Sequence, residues 1–181
     1  MSQQVLGSPR AVETAVSAVA RALGSPPSLG ALHVVSWPVH DAESLRGAAL
    51  LAESRLSAES PERVRADHRR LFVGDAHRPA VAPTAPPPAV APSLAALLAH
   101  VPGAAQPGTG GLVAALDAYA ALLADPRADT ATRRALVHEH LLTWGTRCLS
   151  RVQLGAQTFC YQGVATVGLG LLRHAADSRE L

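Results

Sequence analysis

The chain has 181 residues, is dominated by Ala and Leu and carries only 3 % aromatics. This composition favours packed helices over sheets, whose strands draw on Val, Ile, Thr and aromatic side chains, and it leads us to expect one all-α domain spanning residues 1–181. A net charge of +2 with Arg and acids interspersed makes no continuous basic face, so nucleic acid is not expected as a partner. Two cysteines, Cys148 and Cys160, the lack of a secretory apolar segment and the lack of an apolar run of about eighteen residues point to a cytoplasmic protein with reduced, buried thiols and no stable membrane insertion.

Residues 9–23 place Val12, Val16, Val19 and Leu23 on one stripe before Gly24, Pro26 and Pro27 stop the pattern, which predicts a first amphipathic helix. A loop containing Trp37 and Pro38 follows. The stretch 41–56 reads as a second helix with Asp41 as N-cap, Glu43 in its first turn, and Leu45, Ala48, Ala49 and Ala52 as its narrow inward face. Ser60, Pro61 and Glu62 start a third helix that runs to about Val73; its inward positions are Val64, His68, Leu71 and Phe72, and Gly74 ends it.

Residues 75–92 contain Pro79, Pro83, Pro86, Pro87, Pro88 and Pro92, too many fixed φ angles and missing donors for a helix or central strand. An extended connection is expected, either a linker or a strap over a groove. A short helix at 93–100 leads into a Gly/Pro cluster at 102–111, the expected hinge. Beyond it, Leu112, Leu116, Tyr119, Leu122 and Leu123 repeat at helical steps until Asp125-Pro126. From Asp129 to Arg151, Leu136, Val137, Leu141, Trp144, Cys148 and Val152 keep a helical period with Arg133 and Arg134 outside it. A final helix from Leu154 to Leu172, apolar nearly all round and including Phe159, Tyr161, Val164, Val167 and Leu171, is expected at the centre, with a fraying tail after His174.

No reaction chemistry is assembled by the motifs. His138 and His140 are two residues apart, point away from each other on a helix and cannot share one ion, so His140 is expected to pack or hydrogen-bond in the core and no metal is expected. The Gly-rich stretch 108–111 lacks the Lys of a phosphate-binding loop, as does the whole chain, and no nucleophile elbow or pair of carboxylates on an apolar stripe is present. The expectation is a protein that is not an enzyme and needs no cofactor.

The segment Asp67-His68-Arg69-Arg70-Leu71-Phe72-Val73-Gly74 resembles the acid-xxx-Leu-Phe-x-Gly signature of the TorD/DmsD/NarJ family of redox-enzyme maturation chaperones. Pro86-Pro87 look like the family's Pro-rich stretch, and His138-Glu139-His140-Leu141-Leu142-Thr143-Trp144 is similar to its His-Leu-x-x-Trp helix, followed by a closing helix with aromatic residues, here Phe159 and Tyr161. The family's Asp-His pair and downstream Glu would fall near Gly110, Gly111 and Ala115. The resemblance implies an all-helical chaperone that binds the twin-arginine leader, or another N-terminal segment, of a molybdenum-containing oxidoreductase and delays export until its cofactor is inserted. It implies a client site comprising Asp67, His68, Leu71, Phe72, Gly74, Pro86, Pro87, Leu116, Tyr119, His140 and Trp144. The alternative is a helical small-ligand-binding or regulatory domain. Either a monomer or a dimer that swaps the helices beyond the hinge is compatible with the sequence.

Overall fold

In the structure, a computed structural model, residues 8–74, 80–81, 84–101 and 111–177 are described, and among them there is no strand. The helices in chain order are α1 (Pro9–Gly24), α2 (Leu29–His33), α3 (Ala42–Leu56), α4 (Pro61–His68), α5 (Ala91–Leu98), α6 (Gly111–Ala124), α7 (Thr130–Ala135), α8 (Thr146–Gly155) and α9 (Phe159–Asp177). The all-α expectation holds. Two π-helical stretches join or extend them without a break: Arg69–Val73 continues α4, and Leu136–Gly145 links α7 to α8. The expected hinge at 102–110 and residues 75–79 and 82–83 of the Pro-rich connection lie outside the described residues, as does the tail beyond Asp177.

Local chemistry accounts for where the helices start. Ser8, Asp41, Ser60 and Asp129 each accept a backbone N–H of their own first turn, satisfying donors that a helix start leaves open. At α3 the box is reciprocal, with the Ser44 N–H donating to Asp41 Oδ1 at 2.7 Å and the Asp41 N–H donating to Ser44 Oγ at 3.0 Å. The short α2 forms inside what the sequence suggests is a plain loop.

α9 is central, packed most extensively against α3 and also on α8, α1 and the 136–145 stretch; α1 lies along α6. Val12, Val16, Val19 and Leu23 of α1 are all buried, as their spacing predicts. On α3 the expected inward face is wrong. Leu45, Ala49 and Ala52 are exposed and Ala48 is only half-buried, while Ser44, Gly47, Leu51 and Ser54 are buried. Size decides this. A Cβ on Gly47 would lie 2.6 Å from Val167 N, one on Gly163 2.7 Å from Leu51 Cγ and one on Gly170 2.9 Å from Ser44 Cβ, so α3 and α9 approach with almost no side chain between them. At their other ends the contact is finished by the His40 and His174 rings, stacked with centroids 3.6 Å apart, and by Arg173 bonding Glu43 at 2.7 Å.

The 136–145 stretch buries Leu136, Val137, His140, Leu141, Trp144 and Gly145, steps of four that keep one face inward along its π-helical winding. Thr143 Oγ1 donates to Glu139 O at 2.8 Å and Thr146 Oγ1 to Leu142 O at 2.8 Å, side-chain bonds that compete with the regular ladder where it widens. α8 continues to Gly155, past the expected end at Arg151, and the last helix starts at Phe159 rather than Leu154. The break comes from Ala156, extended at φ −65° and ψ 137°, and from the diversion of the next two N–H groups to a distant carboxylate. Tyr161, Val164, Val167 and Leu171 are buried as expected, but Phe159 is 38 % exposed.

What is described of the Pro-rich connection is docked on the body. The Leu112 N–H donates to Thr84 O at 2.8 Å, a Cβ on Gly111 would collide with Pro86, and Val81 rests on Gly155.

Candidate functional site

The segment 67–74 is built from the inside outward. Asp67 is buried, and its Oδ2 accepts from the N–H groups of Gln157 at 2.9 Å and Thr158 at 3.0 Å and from the Thr158 hydroxyl at 2.8 Å. Its Oδ1 accepts from Arg70 Nη2 at 2.6 Å, and the same nitrogen donates to Gly155 O. A second buried carboxylate, Glu59, accepts from Phe159 N at 2.8 Å through Oε1, and from Cys160 N at 3.0 Å and Ser54 Oγ at 2.7 Å through Oε2. Together they hold the start of α9, where unpaired N–H groups and the positive end of the helix dipole favour negative charge. Sequence reasoning misses Glu59 and Thr158, and finds no paired carboxylates because this pair meets only at a helix 100 residues downstream of Glu59. The one readable signal is Thr158 itself, a capping residue type immediately before α9.

One turn beyond Asp67 the interior becomes aromatic. His68 lies 5.0 Å from Phe72 and 5.9 Å from Tyr161, and Phe72 lies 5.6 Å from Tyr161 in an edge-on contact, all between ring centroids. Burial lowers the His68 imidazole below its ordinary value, partly opposed by a hydrogen bond to the Leu23 backbone. Burial, with Cys160 and Asp67 close by, raises the Tyr161 phenol. Among the described residues, His68 Nε2 and Tyr161 Oη have no hydrogen-bond partner. Leu71 is fully enclosed, Phe72 is half-buried and Val73 exposed. Gly74 closes the π turn at φ 70°, a left-handed conformation that suits glycine, and its N–H returns to Arg69 O at 2.8 Å.

The other sequence-predicted residues are placed elsewhere. Leu116 and Tyr119 are buried on α6, with the Tyr119 phenol pushed up to about 12 by burial. His140 and Trp144 are buried on the 136–145 stretch; desolvation lowers the His140 imidazole, and His140 Nδ1 and Trp144 Nε1 have no hydrogen-bond partner among the described residues. Pro86 is half-buried at the start of α6 and Pro87 is exposed. The structure thus brings Asp67, His68, Leu71, Phe72 and Gly74 into one unit, and of these Phe72 and Gly74 alone are more than marginally exposed.

Beside this unit several apolar side chains reach the surface. Val73 is 66 % and Leu154 86 % exposed, with Val81 partly exposed. Val81 N donates to Arg70 O at 3.3 Å and touches Gly155, the neighbour of Leu154. Cys148 and Cys160 sit on different helices, both buried, with thiols pushed by burial up to about 11 and about 12, which leaves little thiolate for chemistry. Among the described residues no group of three or more His, Cys, Asp or Glu is placed to hold a metal, and no helix is long and apolar enough to cross a membrane. No family model, no curated protein and no solved structure matches this chain.

Proposed function

We propose that the chain is a non-enzymatic, cytoplasmic chaperone that binds the N-terminal leader or N-terminal segment of a molybdenum-containing oxidoreductase and assists its cofactor loading and assembly before export. The observation that carries the reading is the exposed apolar surface of Val73, Val81 and Leu154, with half-buried Phe72 beside Val73 on a π turn fixed from beneath by Asp67 and Leu71. An apolar leader that turns helical in contact with such a surface gains affinity by burial, and the chaperone needs no bond-making group. Asp67 has a supporting role in this reading: its four accepted hydrogen bonds are all internal, and it positions the turn.

Co-purification from the native host, followed by anisotropy titration of a labelled twin-arginine leader peptide and its scrambled control, tests the reading. Recovery of a molybdoenzyme subunit and preference for the intact leader are expected. Equal affinity for both peptides, with no such subunit recovered, would refute it.

A further inference from the structure

Helix α3 is apolar on two sides. The side carrying Gly47 and Leu51 is sealed against α9. On the other, Leu45, Ala49, Ala52 and Leu56 are spaced by four, three and four residues, the repeat that keeps side chains in one line along a helix. Nothing in the described chain covers this line: Leu45 is 58 % and Leu56 79 % exposed, with Ala49 and Ala52 exposed between them.

Order and charge on this face identify what fits it. The line reads large, small, small, large in either direction. An antiparallel copy therefore sets Leu45 opposite Leu56 of the second copy and Ala49 opposite its Ala52, so that two alanine layers let the backbones close in at the centre while leucines fill the ends. Arg46 and Glu53 each follow a residue of the line and share one flank, which in an antiparallel pair meets the same flank of the other helix. Arg46 of each copy then lies beside Glu53 of the other. Both side chains are exposed, and neither belongs to an ion pair among the described residues. The other flank, with Ala48 and Arg55, brings no like charges together.

We propose that α3 is a self-association face on which two copies of this chain pair antiparallel along Leu45, Ala49, Ala52 and Leu56. The seam spans only about three helical turns, well below the size of a permanent interface, so the dimer is reversible and forms in the micromolar to millimolar range. Sedimentation velocity of the full chain across that range reads the association. Leu56→Glu abolishes it while leaving the melting temperature unchanged, because the side chain is exposed. Arg46→Glu or Glu53→Arg each weakens association by about tenfold, and the double exchange Arg46→Glu with Glu53→Arg restores it. In a mixture of Leu45→Cys and Leu56→Cys chains, oxidation links 45 to 56. A chain that stays monomeric throughout, a dimer indifferent to Leu56→Glu and to charge exchange, or a Leu45→Cys chain that links to itself would each overturn the proposal.

Discussion

Replacing Asp67 by Asn separates a supporting residue from a client-binding one. The carboxylate accepts four hydrogen bonds, two from backbone N–H groups ahead of α9, one from the Thr158 hydroxyl and one from Arg70. The amide keeps one acceptor oxygen but turns the other site into a donor facing donors. It also removes the charge that balances Arg70, whose side chain is only one third exposed, and the helix dipole. Breaking a buried pair of this kind costs about 3 to 5 kcal/mol. In a domain of this size each kcal/mol moves the melting temperature by roughly 2 to 4 °C, so a drop on the order of 10 °C is expected in a calorimetric scan. Backbone amides at 157–160 should also lose hydrogen-exchange protection before the rest of α9. A variant that melts within about 2 °C of the parent yet loses client binding would refute the assignment and return Asp67 to the binding surface.

Phe72→Ala should weaken leader binding by about 1 to 3 kcal/mol with a modest fall in melting temperature, because the ring is only half-buried, whereas Leu71→Ala, fully enclosed, should cost about 2 to 5 kcal/mol of stability; parallel titration and melting check both. Stability should fall as pH drops from about 7.5 to 5.5. His33, His40, His68 and His140 are all lowered in the folded chain by burial, so the unfolded chain, titrating near the ordinary imidazole value of 6.5, takes up protons first and is favoured below it. Asp117, raised by burial, opposes the trend at lower pH, and melting curves that are flat from pH 7.5 to 5.5 would contradict the burial of these imidazoles.

Helix existence was legible wherever one strong periodicity met a cap: the valine stripe of α1 with Ser8, and the Ser60-Pro61 start of α4. On α3 the helix itself is legible but its inward face is not, because both sides are apolar and hydrophobicity alone ranks leucine and alanine above glycine and serine. Close approach to α9 reverses that ranking, and the buried serines are satisfied locally, Ser44 in its capping box and Ser54 on Glu59. Over 136–145 the helical period is legible but the π winding is not, since steps of four fit either winding over a few turns. In the candidate site, Leu71 and Phe72 could be read as one stripe, but which of the two reaches the surface depends on the π turn. The Gln157 and Thr158 groups that Asp67 holds lie 90 and 91 residues away and cannot be read at all, because a capping carboxylate supplied from another part of the chain leaves no local pattern.

The central position of α9 has a consequence for synthesis. α1, α3 and α4 are all made before the helix they close upon, and the Glu59 and Asp67 carboxylates wait for N–H donors still to be translated. At roughly 5 to 20 residues per second the interval lasts several seconds, during which the glycine and leucine face of α3 has nothing to cover it. This core therefore cannot close until α9 has left the ribosome, and until then the emerging chain exposes apolar surface of the kind that general chaperones recognise.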